Sequence, residues 1–191
     1  MAIYRRLHLS RHQVVLIFSV CVFTTHVWSI INLLRVVPSL LLIASTSEMV
    51  GVVAYTLVFT LLESVLILGF VLIAGLVFPS KLFKGKFTTI MTSFILFTAV
   101  WSLPFHFGGS ILLFLTQFVQ GMVLIIFMVL LLSLWGTFYI IVLLKLPKSL
   151  SSDENIEAKV VSFMERLVVL SAIYIVFDVL SIIVVGVRNI A

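Results

Sequence analysis

The stretch MVGVVAYTLVFTLLESVLILGFVLIAGLVF, residues 49–78, decides the fold class. It contains one charged side chain, Glu63, and is followed by Pro79 and then by Lys81, Lys84 and Lys86. At 1.5 Å per residue its helix would be roughly 45 Å long, more than a hydrocarbon core near 30 Å requires. Such a helix must tilt or project into water. A soluble core helix has no need of so long an uninterrupted apolar run. Residues 49–78 therefore read as a membrane span with its C-terminal end beside a basic loop.

Working outward, four further apolar stretches appear at 14–34, 87–103, 111–144 and 167–187. The segments between them alternate in charge. Arg5, Arg6 and Arg11 precede the first span, the three lysines follow the second, and Lys145, Lys148, Lys159 and Arg166 lie between the fourth and fifth. Ten of the twelve Lys and Arg thus fall on one side, and Arg35 and Arg188 fall on the other. Positive loops stay cytoplasmic, which predicts an all-α bundle of five transmembrane helices with the N-terminus inside and the C-terminus external.

Composition agrees. Hydrophobic residues make up 63% of the 191, charged residues 10%, and the mean hydropathy is +1.36. That is far from a soluble domain. A net charge of +5 could suggest a nucleic-acid partner. The cations are scattered over short loops, however, and suit insertion and anionic headgroups. The expected partners are the bilayer and other membrane-protein subunits or further copies of the chain, with no nucleic acid. A multi-pass protein of the cell membrane is the expected location. Cys21, the single cysteine, excludes an intramolecular disulfide or a cysteine metal cluster. No cofactor or metal is expected. The N-terminal basic and apolar pattern resembles a secretory signal, but residues 24–29 offer no small-residue cleavage site, so a retained anchor is expected.

Two segments between spans carry local detail. Residues 35–46, with Pro38, are apolar but too short to cross, and predict an interfacial or re-entrant piece. Residues 152–166 predict an amphipathic cytoplasmic helix running into the fifth span. Ser151 and Glu154 have capping-box spacing, and Ile156, Val160, Met164 and Leu167 share one face. Trp28 and Trp101 are expected at the outer ends of their spans, and Gly108-Gly109 with His106 in a short outer loop.

Soluble-enzyme signatures are absent: there is no phosphate-binding glycine loop, zinc-binding His-Glu-x-x-His or nucleophile elbow. The sharper signal is ionisable residues inside apolar spans, where a charge is expensive and normally faces protein or water. Glu63 shares a stripe with Thr56 and Thr60, and Asp178 shares one with Ser171, Tyr174 and Ser181. The first span is unusually polar, with Ser19, Thr24, Thr25, His26, Ser29 and Asn32, and the fourth carries Gln117 and Gln120. From each cytoplasmic end, the helical rise puts Glu63 about 22 Å deep, His26 about 18 Å and Asp178 about 17 Å. A shared polar layer of Glu63, Asp178, His26 and Gln120 is the candidate site, with no catalytic residue assigned.

Three function classes fit these residues. The first is a non-enzymatic accessory or assembly subunit whose polar layer holds helices together. The second is a small proton- or cation-coupled transporter or channel that uses the layer as a relay. The third is a membrane-embedded lipid-modifying enzyme, disfavoured because the acids lie deep and the substrate's headgroup does not.

Overall fold

A computed structural model describes residues 10–77, 87–107, 126, 129–130, 132–138, 141 and 154–190. Among the described residues every regular element is an α-helix and none is a strand. We label the long ones α1 (Arg11–Ile43), α2 (Thr46–Val77), α3 (Phe87–Phe107) and α4 (Glu154–Ile190). α1, α2 and the Ala158–Ile190 part of α4 are each long and apolar enough to cross a membrane, and α3 contributes a shorter apolar stretch, Phe87–Ser102. Most of the fourth predicted span, with Gln117 and Gln120, lies outside the described residues. Its described positions, 126, 129–130, 132–138 and 141, are helical.

The chain forms two compact units, one of residues 1–79 with 158–191 and one of residues 80–157. In the second unit, Phe87 to Thr92 at the start of α3 are all buried, and the Phe97 ring stacks on Phe138 with centroids 4.2 Å apart. Pro104 and His106 belong to α3, whose backbone stays helical to Phe107, rather than to a loop. Gly108 and Gly109 lie outside the described residues.

The first unit contains the three long helices. α1 starts from a capping box: the Gln13 amide donates to Ser10 Oγ at 3.2 Å, and the Ser10 amide donates to the Gln13 side chain at 2.9 Å. This satisfies two of the amides that a helix start leaves orphaned. α1 then runs unbroken for 33 residues, through Pro38. The separate piece expected at 35–46 is therefore corrected: residues 35–43 are the last turns of α1. Proline removes one ladder bond, which a membrane protein's helix tolerates. Trp28 lies near the middle of α1.

The break comes at Ala44, which is extended, and Ser45. Ser45 opens α2 with a second reciprocal cap. Its amide donates to Glu48 Oε2 at 2.7 Å, and the Glu48 amide reaches Ser45 Oγ at 3.4 Å. A two-residue connection forces α1 and α2 into an antiparallel hairpin.

α4 is continuous from Glu154 to Ile190, so residues 154–166 and the fifth span form one helix, as the apolar stripe predicts. The proposed cap at Ser151 lies outside the described residues. Buried Met164, Leu167, Ser171, Asp178 and Ser181, with half-buried Tyr174, follow a three-four spacing and form one seam. That spacing suits packing at a shallow crossing angle. On the other side of α4, Val169, Ile173, Val176, Phe177 and Leu180 are exposed apolar side chains.

Candidate functional site

The register between helices follows from four polar contacts. Ser171 Oγ donates to the Ser19 carbonyl at 2.7 Å, and His26 Nε2 lies 2.9 Å from Asp178 Oδ1; both pairs are separated by 152 residues. Equal separations mean that α4 runs parallel to α1. Between α1 and α2, Thr25 Oγ1 and Ser64 Oγ are 2.7 Å apart, and Thr60 Oγ1 donates to Ser29 Oγ at 2.6 Å. There the numbers step in opposite directions, as in an antiparallel pair. One residue beyond Thr25–Ser64, His26 comes level with Glu63. His26, Asp178 and Glu63 therefore share one level of the unit.

They do not share one environment. His26 and Asp178 are each fully buried. The Tyr174 ring stacks on the imidazole at a centroid distance of 4.9 Å and an angle of 12°. His26 Nδ1 lies 2.8 Å from the Val22 carbonyl. A carbonyl only accepts, so Nδ1 must carry a proton. Nε2 faces a carboxyl oxygen, and one more proton has to lie between them. It sits on Nε2, giving an imidazolium and a carboxylate, or on Oδ1, giving two neutral groups. Both arrangements hold the same number of protons and are neutral as a pair. Asp178 Oδ2 is buried with no hydrogen-bond partner.

This pair can pass a proton across one short contact. It offers no onward route among the described residues, because Nδ1 is held by a backbone carbonyl and Oδ2 touches no donor. The hydroxyls above and below it are committed as well. Thr24 donates to an α1 carbonyl, and of Thr25 and Ser64 one hydroxyl donates to the other while the second donates to a carbonyl of its own helix. Geometrically the inner layer is a clasp that joins α1 to α4, with Thr25–Ser64 and Thr60–Ser29 joining α1 to α2.

Glu63 faces away from that clasp and is exposed. Its α2 neighbours turn inward at Thr60 and Ser64, and large apolar side chains surround it on the outside: Phe59, Leu62 and Leu66. The stripe of Thr56, Thr60 and Glu63 thus splits. Thr60 is buried against α1, while Glu63, three residues and about 60° further round the helix, is open.

Glu63 lies in an open groove of about 620 Å³ along α2, with Tyr55, Thr56, Phe59 and Thr60, Ser29 of α1 and Arg188 of α4. At its far end the Arg188 guanidinium donates to the Ser47 carbonyl at 3.0 Å, and the Tyr55 hydroxyl donates to Asn189 Oδ1 at 2.8 Å. Gly51 makes this possible, since a Cβ there would collide with the Arg188 guanidinium. Of the four candidate residues, the structure brings His26 and Asp178 together, sets Glu63 apart at the same level, and does not describe Gln120.

No family model, curated protein or solved structure matches the chain. Its role has to be argued from its own residues. Sequence reasoning missed the Ser45–Glu48 cap, the Tyr55–Asn189 contact and the Gly51–Arg188 fit. The first was readable as Ser-x-x-Glu directly before an apolar run. The other two depend on how α4 lies against α2, for which no local signal exists.

Proposed function

We propose that this membrane protein is a non-enzymatic subunit of a larger membrane complex, spanning the bilayer five times with its N-terminus cytoplasmic and its C-terminus external. Antiparallel α1–α2 and parallel α1–α4 support that topology. The chain between α2 and α4 must change sides an even number of times, which accommodates one crossing by α3 and one by residues 111–144. The loop charges then set the direction.

The observation that carries the functional reading is the outward placement of Glu63. An acid near the centre of a membrane helix costs about 2.5–3.5 kcal/mol on insertion scales. Asp178 meets that cost within the chain through His26, whereas Glu63 has no partner among the described residues. Ionisable groups inside membranes face protein or water. A surface acid framed by Phe59, Leu62 and Leu66 fits a contact with a neighbouring protein. Purification in mild detergent tests this. A stoichiometric companion, lost when Glu63 becomes Leu, is the expected result; a clean monomer with unchanged behaviour in Glu63→Leu contradicts it.

One observation favours a transport reading as the second choice. The groove runs from the Arg188 end of the unit to Glu63, past hydroxyls of Ser29, Thr56 and Thr60. A relay would need Glu63 to exchange protons or a cation along it. The sealed His26–Asp178 pair is not connected to that groove, which weighs against the shared relay. Proton- or cation-driven flux in vesicles, abolished by Glu63→Gln, would move the balance to transport.

A further inference from the structure

We propose that the α2 groove seats a transmembrane helix of a different protein, one carrying a lysine or arginine at mid-bilayer depth. This deepens the subunit reading and rests on it.

Shape comes first. On α2 the groove is lined at 48, 51, 52, 55, 56, 59, 60 and 63, which is one helix face. Fifteen residues of rise make it roughly 22 Å long, most of the height of a hydrocarbon core. A cleft of that length along a helix suits another helix better than a compact ligand. Its middle and inner floor are small residues, Thr56, Thr60 and Ser29, of the kind that let backbones approach closely in membranes.

Charge then selects the occupant. Three of the four hydroxyl hydrogens that line the groove are spent: Thr56 donates to the Val52 carbonyl at 2.8 Å, Thr60 is shared between Ser29 and the Thr56 carbonyl, and Tyr55 donates to Asn189, while Ser29 accepts from Thr60. None of them serves Glu63. A bare calcium or magnesium ion needs six or more oxygen ligands, and among the described residues the groove offers one carboxylate at that level. A second copy of the chain is a poor fit too. Its lysines and arginines lie in loops or at span ends, and the one basic side chain at the level of Glu63, His26, is committed to Asp178. A foreign helix with a mid-span Lys or Arg supplies the missing donor and charge together, and its aliphatic stem can lie along Phe59.

The test uses the full-length protein in vesicles, with a donor dye on Ala191→Cys in a Cys21→Ser background. Its partners are acceptor-labelled single-span oligo-leucine peptides with or without one central lysine. The lysine peptide should associate roughly tenfold more tightly than its leucine twin, near the top of the range for one intramembrane polar contact. That preference should vanish in Glu63→Gln, which removes the charge at a position making no described contact and so leaves the fold intact. Equal association of the two peptides, or a lysine preference that survives Glu63→Gln, overturns the proposal.

A photo-crosslinking residue at Phe59, used in native membranes, separates this inference from the reading beneath it. Capture of a protein with a basic residue inside a span supports both. A stoichiometric partner whose spans lack any basic residue overturns the inference and spares the subunit reading. Capture of only a second copy overturns the inference, and a monomer with no crosslink overturns both.

Discussion

Asp178 and Glu63 are both acids at one level of the same three-helix unit, and the fold treats them in opposite ways. Asp178 looks inward along the seam of α4, reaches His26 and is fully covered. Glu63 looks outward from α2 and is exposed among apolar side chains. The difference is one of helix phase, not depth. What an intramembrane acid does is thus set by the face on which its helix carries it, and the two positions should respond differently to the same chemical change.

The largest effect is expected at Asp178. Asp178→Leu leaves the His26 Nε2 atom buried without a partner, and should destabilise the folded unit by on the order of 1–2 kcal/mol in reversible unfolding in bicelles. Asp178→Asn sharpens the comparison. Its amide can donate to Nε2 while Nδ1 still serves Val22, so the loss should be only a few tenths of a kcal/mol. If Asn and Leu proved equally damaging, the hydrogen bond would not be what Asp178 contributes.

Next come the flanking hydroxyls. Ser171→Ala and Ser64→Ala each remove one interhelical contact, and should cost about 0.6 kcal/mol each, the average for such bonds in a membrane protein. Because they lie on opposite sides of α1, their effects should add. A smaller effect belongs to Gly51→Ala. The new Cβ displaces the Arg188 guanidinium from Ser47, but that flexible side chain can swing aside, so the cost should stay below about 0.5 kcal/mol. Exchange rates of the amides around 46–52 would register it.

Smallest of all is Glu63→Leu, which should change unfolding stability by less than about 0.5 kcal/mol while disturbing association. A loss as large as that of Asp178→Leu would erase the distinction between the two acids.

The sequence pattern reads both acids as facing inward, and the structure turns only Asp178 that way. The three-four spacing of Met164, Leu167, Ser171, Tyr174, Asp178 and Ser181 marks the inward face of α4, and the structure keeps it inward. Equal depth of Glu63, His26 and Asp178 follows from helical rise once the spans are drawn. Convergence does not follow, because rise fixes height and says nothing about rotation between helices. The stripe of Thr56, Thr60 and Glu63 shows why. A 60° turn separates Thr60 from Glu63, and that angle decides between contact with α1 and exposure. Residues 35–43 misled for another reason. Pro38 and Arg35 resemble a span ending, but the real stop is the Ser45–Glu48 cap, ten residues beyond Arg35.

The most direct test of the central claim is a nitrogen–carbon dipolar recoupling measurement on the full-length protein in bilayers, with labelled histidine side chains and labelled carboxyl carbons. The His26 Nε2 signal should couple to the Asp178 carboxyl carbon across the hydrogen-bonded contact, the coupling should disappear in Asp178→Leu, and Glu63 should show no coupling to any histidine. Coupling of His26 to Glu63, or to neither acid, would contradict the account.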